Sequence, residues 1–495
     1  MTPTWAGLLT LGVLALAGAM PVLYLVGPRV VAFPLMPLAG AVTCGIAAIG
    51  TVAFFGSLAA WFAVLTLAAA LAAAVGFARH PERAHGLVDA ALAGLRAQTA
   101  LAASVLVVAV AWTLRTLKVP SVGFDAQAIW ILHARWLSQG HAFASAAIEN
   151  HFLVLSHPAY PPLVSAVMAL AWRVTGTSSD RVAVLTVALV NGCALFVAGW
   201  GIVQAGRRAV ASVRWSRTAR AGLTLWVVAV AALTVTVAGG LLGVFATNGY
   251  ADPLWSLSAV GAVLFGLTLP AGGRSELATA GVLVAVAGLT KLEGTAVAMV
   301  LVLVLAARAV AGARRRRPRR VGRTVAAAAA ALAGLAVWPL VTLALGVPKD
   351  PDISGVRQGS LGGRARQTFD SMGPHLHVLV LAAICAAVGA LLCRSVRERI
   401  GLGNDLWMWV VMVGAGLVLG GAYVVGPGNV VLWLDTSVDR TTIVLALLGW
   451  WIVAVWVVCG GAGVLHAVHG RRGGTVVNDL AVVPPVPATS EEKVS

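Results

Sequence analysis

Near-continuous runs of Ala, Val and Leu, broken by short polar turns, recur from Trp5 to Val464. This constrains the fold more than any motif, because each run is long enough to cross a hydrocarbon core of about 30 Å at 1.5 Å per helical residue. Backbone inside a bilayer must satisfy its own hydrogen bonds, which leaves helices or closed barrels. The runs are continuous and do not alternate apolar with polar, so they are helices. Thirteen spans are expected, near 4–26, 31–53, 57–77, 99–117, 182–204, 221–244, 254–270, 277–290, 294–311, 324–346, 376–393, 403–425 and 441–464. The expected class is all-α, a polytopic integral membrane protein. With 59% hydrophobic and 11% charged residues and a mean hydropathy of +0.91, little chain is left for soluble domains.

One long insertion interrupts the pattern. Ser121 to Pro162 carries Asp125, His133, Arg135, His141, Glu149, His151, His157 and Tyr160, with Trp130 and Trp136 between them. Ionisable groups are kept beside a membrane where they face water or protein, so chemistry is expected to begin here. The bland reading is a connecting loop anchored by interfacial Trp. The run 163–176 that follows is too short to span, and the sequence places it at the interface or re-entering, with Pro161 and Pro162 opening its first turn.

The net charge of +17 comes almost wholly from Arg in short loops, which points to orientation and not to nucleic acid. With the 121–162 insertion outside the cytoplasm, 24 of the 35 Lys and Arg fall on the cytoplasmic side and 11 on the other. The Arg314–Arg317 run is then a stop-transfer cluster. The first three spans and the basic segment with Arg79, Arg83 and Arg96 form residues 1–98, a transmembrane core follows over 99–465, and 466–495 is a polar cytoplasmic tail expected to be disordered. The N-terminus lacks the pattern of a cleaved signal peptide, so Trp5 to Val26 is expected to be retained as a span.

Several chemistries are excluded. None of Lys118, Lys291, Lys349 and Lys493 follows a Gly, so no phosphate-cradling P-loop lysine exists. No Glu follows a His, which removes a helical His-Glu-x-x-His zinc site. The five cysteines lack CxxC spacing and suggest neither zinc nor a disulfide framework.

Once the sides are assigned, scattered polar residues fall on one face: the insertion, the turn Thr247-Asn248-Gly249-Tyr250-Ala251-Asp252-Pro253, the junction Thr290-Lys291-Leu292-Glu293-Gly294, the loop 347–376 and residues 426–440. No carboxylate sits in the middle of a span, which disfavours an ion-coupled carrier. The Gly-rich 348–373 stretch is long for a structureless connection and suits a lid.

An acidic residue directly after a span, an aromatic-rich stretch, and then His157-Pro158-Ala159-Tyr160-Pro161-Pro162-Leu163 opening a short helix resemble the GT-C glycosyltransferases, the relatives of protein mannosyltransferases and aminoarabinose transferases. The likeness extends to the Asp252 turn, the Lys291 junction and Thr436-Ser437-Val438-Asp439-Arg440, and leaves the first three spans outside it. It implies a polyprenyl-phosphate sugar donor, an envelope glycan, lipid or protein acceptor, and a site on the extracytoplasmic face of the plasma membrane. Asp125 matches the family's first-loop acid, similar to a general base. Many members have a second acid next to the first, whereas here Ala126 and Gln127 follow. Asp252, with Glu293, is the candidate ligand for a divalent cation such as Mg or Mn.

Lys291 and Arg440 are the candidate holders of the donor phosphate, since each is a cation beside an apolar span at interfacial depth. His157, Tyr160, Glu293 and Asp439 are candidate substrate contacts. The alternatives are helix caps for Asp125 and Asp252, and snorkelling to headgroups for the two cations. A transporter or flippase for a lipid-linked intermediate is the other class that fits.

Overall fold

The computed structural model describes residues 1–27, 29–81, 99–118, 122–211, 217–268, 274–313, 318–348, 358–392, 405–426 and 428–472, and among these there is no strand. Four long helices come first: α1 (Pro3–Val26), α2 (Ala32–Ala53), α3 (Leu58–Arg79) and α4 (Thr99–Lys118). The insertion folds as a π-helical turn Ala126–Ile131 running into α5 (Leu132–Ser138), then α6 (His141–Ile148) and a 3-10 turn His151–Ser156. After α7 (Leu163–Thr175) come α8 (Asp180–Ala211), α9 (Arg217–Thr247), α10 (Asp252–Val263), α11 (Arg274–Thr290), α12 (Leu292–Ala313) and α13 (Pro318–Ala344). The chain continues as α14 (Leu361–Met372), α15 (His377–Leu392), α16 (Asp405–Val425), α17 (Val430–Thr441) and α18 (Ile443–Arg472).

Among the described residues, eleven helical segments are long and apolar enough to cross a membrane. The expected thirteen include two further, shorter runs. The runs at 254–270 and 277–290 hold α10, continued by a π-helical turn Leu264–Thr268, and α11, which are shorter than the other eleven among the described residues, and every residue of α10 is buried. An apolar run buried on all sides by protein has the composition of a span without needing its length.

One continuous apolar core runs from Leu14 in α1 to Cys459 in α18, so the boundary near residue 98 marks no break in packing. Helices α1 and α2 approach backbone to backbone at Gly18 and Gly40, where a Cβ on either glycine would collide with a main-chain oxygen of the other helix. Close crossings at small residues are how helices associate where lipid removes the hydrophobic driving force between them.

Helix α7 is enclosed by protein: Leu163 to Trp172 are buried throughout, and Leu163 packs at Gly45 in α2. Two expectations shift. The 348–373 loop is not structureless, since 361–372 is helix α14, capped by Ser360 Oγ accepting from Gly363 N at 3.1 Å. Helix α18 carries the chain as helix to Arg472, past the expected tail boundary at 466, and residues 473–495 lie outside the described residues. Lys349, Arg357, Arg83, Arg96 and Arg314 to Arg317 also lie outside them.

The polar groups sort to two ends. At one, Glu276 Oε1 pairs with both Arg29 and Arg208, each at 3.2 Å, which joins the α1–α2 turn, the end of α8 and the start of α11. At the other, His141 N donates to Gly56 O at 3.0 Å and Trp338 Nε1 to Ala159 O at 2.8 Å, which fixes the insertion against the α2–α3 turn and the end of α13. This is the alternation read from the charges, including the first three spans.

Candidate functional site

The insertion enters the site through a backbone interlock. Gly123 N donates to Asn248 O at 3.1 Å, and a Cβ on Gly123 would fall 2.5 Å from the Tyr250 ring. Opposite it, Gly249 takes φ +81°, a left-handed conformation that favours glycine, and its α-carbon faces Ala126 and Val184 with no room for a side chain. The two turns therefore hold Asp125 and Tyr250 at one depth.

Asp125 begins no cap. Its backbone is already helical, and its side chain makes no bond to the following turn. The carboxylate instead pairs through Oδ2 with Nη1 of Arg440, 315 residues away. Arg440 Nη2 donates to Thr436 O at 2.8 Å, and the guanidinium lies 5.0 Å from the centre of the Tyr250 ring. The π-helical turn after Asp125 is the kind of irregularity often found at functional sites.

Asp252 likewise does not cap α10; it is 1% exposed and its Oδ1 accepts from Lys291 Nζ at 3.0 Å and from Trp255 Nε1 at 3.4 Å. Lys291, itself 4% exposed, is shared with Glu293 Oε1 at 3.1 Å. It occupies the gap between α11 and α12, and Lys291 O accepts from Thr295 N at 2.9 Å as the new helix starts. A buried ammonium persists because two carboxylates compensate it. Snorkelling does not describe a lysine so enclosed.

An aromatic stack floors the cluster. Tyr160 lies between Trp130, 5.6 Å away by ring centres, and His157 at 4.9 Å, and Lys291 Nζ is 5.9 Å from the Tyr160 ring. His157 reaches this position in the left-handed region, φ 52°, at the end of the 3-10 turn. Burial first, and then the Glu293 charge, push the Tyr160 phenol far above its ordinary range, so it is a neutral hydroxyl. Tyr250 is also raised, by burial and by Asp125.

Asp125, Tyr160, Asp252, Lys291, Glu293 and Arg440 thus meet at one end of the bundle, with His157 behind Tyr160. Asp439 does not join them. It lies one residue before Arg440, about 100° round the helix, and its Oδ1 pairs with His375 Nε2 at 3.1 Å. Glu149 is also apart, accepting from Ser145 Oγ at 2.9 Å.

Three contributors were not singled out from the sequence as site residues. Tyr250 backs Arg440. Tyr423 OH bonds Ser437 Oγ at 2.7 Å and Thr441 Oγ1 at 2.9 Å, one helical turn apart, and so sets the rotation of α17 that aims Arg440. Arg364 is 1% exposed and donates to the carbonyls of Val424, Gln358, Gly428, Tyr423 and Gly426 at 2.6–3.1 Å, closing the C-terminus of α16. Three of the four tyrosines in the chain, Tyr160, Tyr250 and Tyr423, stand at this site.

The donor set does not fit a divalent cation as it stands. The position between Asp252 and Glu293 is taken by the Lys291 ammonium, and among the described residues no group of three or more His, Cys, Asp or Glu gathers. A cavity of about 100 Å³ opens between the start of α3, the end of α5 and α7, near Ser57, Gln139 and Arg173. It borders none of the charged cluster, and it is well below the ~300 Å³ typical of a small ligand pocket. Compared with protein-family models, curated proteins and solved structures, the chain matches none.

Proposed function

We propose that this chain is a membrane glycosyltransferase of GT-C type, moving a sugar from a polyprenyl-phosphate donor to a glycan, lipid or protein acceptor outside the cytoplasm of a plasma-membrane-bound cell. The observation that carries the reading is the convergence, at one end of a membrane bundle, of a carboxylate after a span with two cations from distant helices. In a single inverting displacement the acceptor oxygen bonds to the anomeric carbon and its proton passes to Asp125. The bond from that carbon to the phosphate breaks, leaving the charge on a polyprenyl phosphate. Lys291 and Arg440 hold that charge, and the polyprenyl tail lies along the helices. Tyr160 presents a neutral hydroxyl to the sugar.

A divalent cation is not part of this scheme, because Lys291 already occupies the place between the carboxylates. The four fully buried ionisable side chains apart from Cys and Tyr, His133, Asp252, Lys291 and Arg364, all stand at the same end of the bundle among the described residues. That distribution suits catalysis at one face better than a path through the membrane.

A second reading, a carrier for a lipid-linked intermediate, draws support from uncharged polar atoms deeper in the bundle. Asn191 Nδ2 and Oδ1, Ser165 Oγ, Ser256 Oγ and Ser258 Oγ are buried without hydrogen-bond partners. The deciding experiment reconstitutes the purified protein with a panel of radiolabelled polyprenyl-phosphate sugars identified from the lipids that accumulate when the gene is removed. Acceptor-dependent release of polyprenyl phosphate is expected. Translocation of the intact lipid with no cleavage in any condition establishes the carrier instead.

A further inference from the structure

Arg440 is matched by groups of the protein itself. One terminal nitrogen pairs with Asp125, the other with the Thr436 carbonyl, and Tyr250 covers a face of the guanidinium. Formally the cluster holds three carboxylates, Asp125, Asp252 and Glu293, against two cations, Lys291 and Arg440. An anionic headgroup therefore enters a site with no spare positive charge, and its hold on a cation is set against that of a carboxylate already there. Of the two cations, Arg440 is the one that yields: its side chain is 12% and that of Asp125 24% exposed, whereas Lys291 and Asp252 are 5% and 2% exposed and locked in the bundle.

We infer that Asp125 and the donor phosphate compete for Arg440, so that Asp125 is an internal competitor of the donor and has both oxygens free for the acceptor once the phosphate is in place. The inference rests on the glycosyl-transfer reading and adds to it an order, donor before acceptor. One oxygen of Asp125, Oδ2, is held toward Arg440 by a guanidinium N–H. Exchange of that N–H for a phosphate oxygen frees it. The arrangement couples the freeing of Oδ2 to donor binding.

The consequence has an unusual sign: removing the charge of a catalytic residue should tighten ligand binding. The probe is farnesyl phosphate, with neutral farnesol as control, measured by calorimetry on the full chain in detergent. Asp125→Asn is expected to bind farnesyl phosphate about tenfold or more tighter than the parent, the lower end of the scale for one charge-assisted hydrogen bond. Arg440→Gln is expected to bind about tenfold or more weaker on the same scale. In the double variant the gain from Asp125→Asn should disappear, because the competition needs Arg440. Asp125→Ala serves as a second neutral variant, and each protein is checked for monodispersity before titration.

Unchanged or weaker farnesyl phosphate binding in both monodisperse Asp125 variants, with Arg440→Gln still weakened, overturns the competition and leaves the donor site standing. An equal gain for farnesol overturns it too, because an uncharged ligand feels no competition. Absence of farnesyl phosphate binding in the parent and in every variant overturns the donor reading and this inference together.

Discussion

At the scale of single residues, the site is built on charges that depend on one another. Lys291 is compensated by Asp252 and Glu293 in a nearly dry position. Lys291→Met should therefore cost about 3–5 kcal/mol in thermal or denaturant unfolding, the scale for breaking a buried pair. Adding Asp252→Asn and Glu293→Gln should recover much of that loss, and no recovery would mean that the ammonium packs rather than compensates.

Asp125→Asn should behave differently. Its side chain caps nothing, so stability should hold while transfer falls roughly 10²-fold or more, as for a positioned general base.

His133 adds an acid sensitivity. It is buried and stacked 4.4 Å from Trp136, and its Nε2 meets Ser156 Oγ, which itself donates to Leu153 O, so the ring presents an N–H there. Burial chiefly, with His157 adding, pushes its pKa down from 6.5 to about 3. The folded protein then binds fewer protons than the unfolded chain between those values. Its contribution is full above pH 6.5 and is lost as pH falls below it, by about 2 kcal/mol between pH 7 and pH 5. Melting curves of the parent should drop over that interval by more than those of His133→Gln.

The charged members of the site were legible in the sequence because an ionisable group beside an apolar run is expensive and so stands out. Tyr250 and Tyr423 were not, since a tyrosine near a span end also reads as an interfacial anchor.

At the scale of elements, the helices that matter most for the site are the short ones. Arg440 is aimed by α17, and α17 is held by Tyr423 from α16 and by the closing turn around Arg364. Periodicity alone did not reveal this. The 348–373 stretch is rich in Gly and Arg, which reads as loop, while the order comes from one guanidinium satisfying five carbonyls.

Arg364→Lys keeps the charge but loses the planar fork. It should leave several of those carbonyls unpaired and destabilise the region by roughly 3 kcal/mol, at about 1–3 kcal/mol per orphaned buried group. Hydrogen exchange should show that loss in 358–372 and 423–441, with α1 and α2 unchanged. Uniform exchange across the bundle would instead make Arg364 part of the global core. The helical content of the long runs was legible because length and apolarity determine it. The shorter α10 and α11 read like the long runs because burial in protein and burial in lipid select the same side chains.

At the scale of the whole molecule, the question is which end faces outward. The charge bias in the loops put the insertion outside, and the structure gathers the residues of that face at one end and Arg29, Arg208 and Glu276 at the other. The alternation was legible because short Arg-bearing turns mark each crossing, and one miscounted helix would have scrambled the two sets. Orientation itself is set by the bilayer and the insertion machinery, which act on the Lys and Arg of short loops. Ala146, exposed on α6, and His80, at the end of α3, stand at opposite ends. In a background with the native cysteines replaced, Ala146→Cys should react in intact cells with a membrane-impermeant maleimide. His80→Cys should react only after the membrane is opened. The reverse pattern would put Asp125 and Arg440 on the cytoplasmic side, where a polyprenyl-phosphate donor used outside the cell does not present its sugar. Labelling of both in intact cells would break the two-ended arrangement itself, because the elements that converge on Glu276 and those that converge on Arg440 would then share one face.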